Sequence, residues 1–288
     1  MKSIWTSIIL LIIVLMIASC TPANTPTIVE SLPTVLPSQT AMVSPSPTPL
    51  PSQVIPTPLP TLTADDAKKL VRELLEDNAG CQLPCWWGIT PGKTTWAEAR
   101  HFLESFSVYI GETGLVRVPL PAPYSNATYM DHGYSIKNGI VDIIRIYNYN
   151  LAPNYYLPKF LEIYGQPSEI WIQTFSQEEI GQQNFTFDLF YGDKGILVEY
   201  GTADPIGDVG GKLKTCLIGL DSPFIYLWSP EKNKMSFQDA KQRFLDTRWL
   251  PEPKPLFDAT GMNVKTFYET FKNPDTNVCL ETPKDLWP

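Results

Sequence analysis

The chain has 288 residues, 43% of them hydrophobic, with a formal charge of -8 and a pI near 4.9. That acidity, with no basic patch in the sequence, excludes nucleic acid as a partner and argues against protein charge as the route to an anionic lipid surface. Five cysteines and two histidines leave little room for metal or redox chemistry.

After Lys2 an uncharged apolar run includes Ile8 to Ile17 and ends in Ala18-Ser19-Cys20. The run is too short for a comfortable spanning helix, and small residues before a cysteine mark a cleavage site. Ile17-Ala18-Ser19-Cys20 resembles the lipobox of bacterial lipoproteins. The resemblance implies a signal peptide over 1–19, diacylation of Cys20 with palmitate-type chains, and a cell-membrane address facing outside the cytoplasm. More than one acyl chain is what stable anchoring requires.

From Thr21 to Thr63 the sequence is Pro, Thr and Ser with scattered Val and Leu, no aromatic residue, no Lys or Arg, and Glu30 as the sole acid. Such a segment cannot bury a core. Runs such as Pro56-Thr57-Pro58-Leu59-Pro60 favour polyproline II at about 3.1 Å per residue, so residues 20–63 read as a tether with a reach on the order of 100 Å.

Thr63 is placed to cap a helix from Ala64, with Asp65 and Asp66 in its first turn, Ala67, Leu70, Val71 and Leu74 on one face, and Asn78 to Gly80 as its end. Trp86 and Trp87 follow Cys85; they suit either a sugar-stacking platform or the plug of a small core, and the adjoining cysteines favour the plug. Thr95 and Glu98 form a capping box for a helix whose face is Trp96, Ala99, Phe102, Leu103 and Phe106. Asn138-Gly139 predicts a hairpin turn inside Tyr134–Tyr147. Pro158 starts a short helix that Gly165-Gln166-Pro167 ends. Strands are expected over 170–175, 185–191 and 196–200, with Phe185, Phe187, Leu189 and Tyr191 on one covered face. The fold class expected is α+β, an antiparallel sheet with helices packed on one face.

A degenerate repeat runs through this pattern. Thr95-Trp96-Ala97-Glu98-Ala99-Arg100 matches Ser236-Phe237-Gln238-Asp239-Ala240-Lys241, and Phe160 to Pro167 matches Phe267 to Pro274 in the same order. It suggests a duplicated unit, with an α+β domain over 64–205 and a shortened second unit over 206–288 packed on it. Four cysteines besides Cys20 imply two disulfides with three possible connectivities. Two locally stapled units favour Cys81 with Cys85 and Cys216 with Cys279. Zinc is the alternative, but no His lies near any cysteine in sequence.

Gly92-Lys93-Thr94-Thr95 with Glu98, and Tyr164-Gly165-Gln166-Pro167, resemble motifs of the small envelope lipoproteins of the BamE and SmpA type. In that family the two motifs are nearly adjacent, whereas here a hairpin separates them. The resemblance implies a non-catalytic helper in envelope assembly. The Pro/Thr tether followed by Cys81-Gln-Leu-Pro-Cys85-Trp86-Trp87-Gly88-Ile89-Thr90-Pro91-Gly92 also resembles lipoproteins of Chloroflexi-type bacteria, which brings no activity with it.

No convergent catalytic set emerges. Glu98-x-x-His101 is a single spacing match. Asp131 beside His132 could orient an imidazole, but no Gly-x-Ser-x-Gly elbow is present to use it. Asp208-Val209-Gly210-Gly211-Lys212 is a turn and not a Walker sequence, and Asp204, Asp208 and Asp221 lack the spacing of a calcium loop. The sequence therefore offers no catalytic residue, no metal site and no cofactor. Tyr147, Tyr149, Tyr155, Tyr156 and Trp171 remain as a candidate binding surface, since tyrosine and tryptophan stack on glycans and anchor protein partners. The expected function is a membrane-anchored, non-catalytic module for an envelope protein or cell-wall glycan. The alternatives are a solute- or glycan-binding receptor and an extracytoplasmic hydrolase.

Overall fold

The computed structural model describes residues 61–121, 128–147, 153–177, 182–202, 210–216, 220, 223–245, 251–273 and 278–287. Cys20 and the Pro/Thr/Ser-rich segment read as a tether lie outside them up to residue 60. Among the described residues no helix is long and apolar enough to cross a membrane.

Helix α1, Ala64–Asp77, starts where the Thr63 hydroxyl accepts the Asp66 N–H and stops at Asn78 in the left-handed region. Val71 and Leu75 on its inner face are fully buried, so the helix is part of the fold and not a free stalk. Helix α2, Trp96–Glu104, carries both hydrogen bonds of the Thr95–Glu98 capping box. The following strands are β1 (Tyr109–Ile110), β2 (Leu115–Pro119), β3 (Tyr129–Lys137) and β4 (Ile140–Tyr147). Asn138 and Gly139, with φ of 52° and 75°, make the turn between the last two. Helix α3, Leu157–Tyr164, leads to β5 (Glu169–Gln177), β6 (Gln182–Tyr191) and β7 (Ile196–Thr202). The C-terminal part holds β8 (Lys212–Cys216), β9 (Phe224–Trp228), α4 (Phe237–Phe244), β10 (Lys254–Pro255), α5 (Leu256–Thr260), α6 (Val264–Phe271) and β11 (Cys279–Pro283).

Nine strands form one sheet in the order β1-β2-β3-β4-β9-β7-β6-β5-β10, with antiparallel pairing throughout. The protein is thus α+β. Strand β9 sits between β4 and β7, in the middle of the sheet, so the expected boundary near residue 205 does not divide the fold. Residues after it supply a central strand and do not form a unit packed on the first. Strands β8 and β11 pair separately, and there Cys216 faces Cys279 in register. The disulfides are Cys81–Cys85 and Cys216–Cys279.

Two apolar clusters lie on the two faces of the large sheet. The larger gathers α1, α2, α3, α5 and α6 against Val116, Ile144, Ile146, Phe187, Leu189, Val198 and Ile225. The smaller is made by α4, through Phe237, Ala240 and Phe244, on Ile143, Phe190, Leu197, Tyr226 and Trp228. Most helices cover one face, as the alternation on β6 implied, and α4 covers part of the other. The reason is in the strands: Ile196–Val198 and Ile225–Trp228 are unbroken apolar runs, which is how a strand buried on both faces reads. The capping-box helices α2 and α4 accordingly pack on opposite faces despite their similar sequences.

Candidate functional site

The aromatic residues singled out in the sequence do not form one surface. Tyr147 is half-buried at the end of β4, its ring 6.1 Å from that of Phe224. Tyr149 lies outside the described residues. Tyr155 is core, 3% exposed, with its ring 5.5 Å from Trp86 and its carbonyl accepting the Tyr200 hydroxyl at 2.8 Å. Tyr156 is exposed at the start of α3. Trp171 lies under α4, stacked on Phe237 at 4.5 Å, and its indole N–H donates to the Glu169 carboxylate. Closeness in sequence failed as a guide because a helix start and the strand alternation send these rings to different faces.

Trp86 and Trp87 are buried and stack at 5.1 Å, which makes them a plug and not a platform. His132 completes the plug, its ring 4.7 Å from Trp87 and its Nδ1 3.4 Å from the Tyr134 hydroxyl. Burial pushes the imidazole down to about 3, so it stays neutral. Asp131 cannot orient it. Neighbouring strand residues point to opposite faces, and Asp131 pairs on the far side with Arg117.

That far side is open to solvent at Tyr109, Arg117 and Tyr129. In register across adjacent strands stand Tyr109, Arg117, Asp131 and Tyr147. Arg117 binds Asp131 through two parallel hydrogen bonds of 2.7 and 2.9 Å, which hold the Asp131 carboxyl below the usual carboxylate range. Tyr109 is 53% exposed and Tyr129, two residues before Asp131, is 45% exposed. The alternation Val116, Arg117, Val118 is the local signal for this outward face. Which outward residues meet across four strands depends on register that no single segment encodes.

The same face continues beneath α4. Glu199 pairs with Phe224 on one side and Asp188 on the other, and Asp188 pairs with Trp171. Asp188 is buried and Glu199 half-buried, and desolvation raises both above the usual carboxylate range, Glu199 to about 7. The facing Glu199 raises Asp188 further, while Lys241 of α4 draws it partly back. Lys241 is itself buried, with its ammonium 2.6 Å from the Glu252 carboxylate. Arg145 marks the border of the covered region, donating to the Ser135 hydroxyl and lying 5.9 Å from the Phe244 ring.

A cleft of about 450 Å³ opens elsewhere, where the Cys81–Cys85 loop meets the turns at Thr90–Lys93, Asp193–Lys194 and Ser229–Glu231, with Ile163 and Tyr164 on its wall. The turns abut closely. Gly195, at φ +69°, would place a Cβ 2.1 Å from the Trp228 carbonyl oxygen, and Gly92, at φ +76°, would place one 2.8 Å from Ser229 Cβ. Lys194 donates to the Tyr164 carbonyl at 2.5 Å, and Lys232 donates to the Gly92 carbonyl. The cleft was not legible in sequence, since its walls come from four segments far apart in the chain.

Among the described residues, no group of three or more His, Cys, Asp and Glu side chains is placed to hold a metal ion. The fold defines an α+β protein with a sheet face that is half covered and half open. No protein-family model, curated protein or solved structure matches the chain.

Proposed function

We propose that the protein is a lipid-anchored extracytoplasmic binding module, without catalytic activity, that holds an envelope protein against the open half of its sheet. The observation that carries this reading is the in-register row Tyr109, Arg117, Asp131 and Tyr147, with exposed Tyr129 beside it. Tyrosine and arginine are the residue types that concentrate binding energy at protein interfaces, and the strand face presents them side by side. The Ile17–Cys20 lipobox motif and the Pro/Thr-rich segment after it support an anchored and extended placement. Two disulfides suit an oxidising compartment outside the cytoplasm.

The test is a photo-activated cross-linker placed in the full chain at Tyr109, at Tyr129 and, as control, at the exposed Phe257, in the native cells. The reading expects one protein captured from Tyr109 and Tyr129 but not from Phe257, with capture lost on Arg117→Glu. Equal capture from all three positions contradicts it. So does retention on isolated cell wall with no protein cross-link, which would make a glycan the occupant.

A further inference from the structure

The loop cleft shares no lining residue with the open half of the sheet, and its charges have a different logic. Two nearby lysines are committed: Lys194 to the Tyr164 carbonyl and Lys232 to the Gly92 carbonyl. Three charged side chains on its lining are exposed and have no hydrogen-bond or ion-pair partner among the described residues, namely Lys93, Asp193 and Glu231. They come from three different turns. Leu83, Ile163 and Tyr164 supply apolar wall between them.

We infer that this cleft binds a small zwitterion, a free amino acid or short peptide with both termini charged. A purely anionic ligand would face two carboxylates, and a purely cationic one would face Lys93. A ligand with both charges satisfies Lys93 through its carboxylate and Asp193 and Glu231 through its ammonium, and rests its side chains on the apolar wall. A volume of about 450 Å³ lies within the range of small-ligand sites and accommodates a dipeptide. The abutting turns at Gly92 and Gly195 fix the walls in advance, so little ordering is required on binding.

The experiment is calorimetric titration of the full chain in detergent micelles with leucyl-leucine, N-acetyl-leucyl-leucine and leucyl-leucine amide. Leucyl-leucine is expected to bind one to one, and each capped form about tenfold more weakly or less. Lys93→Gln should weaken leucyl-leucine about tenfold and abolish its advantage over the amide. Asp193→Asn combined with Glu231→Gln should do the same relative to the acetylated form. All three positions are exposed, so these variants keep the fold. Absence of binding at about 10 mM, equal binding of the capped peptides, or binding unchanged in the variants would each overturn the inference.

Discussion

One face of the sheet is treated in two ways. Under α4 the row runs through half-buried Glu199, buried Asp188 and half-buried Trp171, closed off by Phe237 and Lys241; beyond Arg145 it runs through half-buried Tyr147 and Asp131 to exposed Arg117 and Tyr109. The covered half buries acids in an apolar setting, which costs stability unless they are protonated or paired. The open half pairs its charges in the open, where an ion pair adds little stability. Acids shielded from solvent and charge available for recognition are thus separated along a single row.

Removing the lid residue should break this division most severely. Phe237 is buried between Trp171 and Phe190, and Phe237→Ala is expected to cost about 4 kcal/mol in urea unfolding. If the loss is under about 1 kcal/mol, α4 does not close the covered half. Next comes Lys241→Ala, which removes the buried partner of Glu252 and the cation that acts on Asp188, and should cost about 3 kcal/mol at pH 7. At pH 5, where the acids carry protons, its cost should shrink. A cost that does not change with pH would mean that Lys241 acts through packing and its Glu252 ion pair, and not through Asp188.

The pH profile sharpens the contrast between the acids and His132. Both acids have folded values raised above the unfolded ones, so the stability tied to each is present below its unfolded value and is lost as pH rises through its folded one, which for Glu199 runs from 4.5 to about 7. His132 runs the other way. Its folded value near 3 lies below the unfolded 6.5, so stability falls as pH drops below 6.5. In the native chain the two trends oppose each other between about pH 5 and 6.5. Asp188→Asn with Glu199→Gln removes one of them and should steepen the acid loss by about 2 kcal/mol between pH 6.5 and 5, read from urea midpoints. Identical slopes in the two proteins would show that the acids do not titrate in this window.

The smallest effect on stability is expected on the open side. Arg117→Ala should change unfolding by less than about 1 kcal/mol, because both partners of its ion pair are partly exposed. Loss of more than about 2 kcal/mol would mean that the Arg117–Asp131 pair helps to hold the fold together.

What the sequence disclosed follows the range of its signals. Capping boxes at Thr95 and Ser236, the Asn138-Gly139 turn and the Gly165 stop act within a few residues, and the structure has a helix or hairpin at each. The disulfide pairing also follows the sequence reading, although the two units from which it was argued do not divide the fold. Insertion of β9 into the middle of the sheet could not be read, since one of its two neighbours, β4, lies far back in the chain. The same step sent α4 to the second face and covered Trp171. Tyr155 was misplaced because tyrosine serves both core and surface, and only the packing of Trp86 decides which.

Hydroxyl-radical footprinting of the aromatic side chains, on intact cells and on the purified chain, tests the division of the sheet face most directly. Tyr109 and Tyr129 are expected to react freely in the purified protein and to be protected in cells, while Trp171, already under α4, reacts equally in both. Equal reactivity of Tyr109 and Tyr129 in cells and in isolation would contradict a partner on the open half.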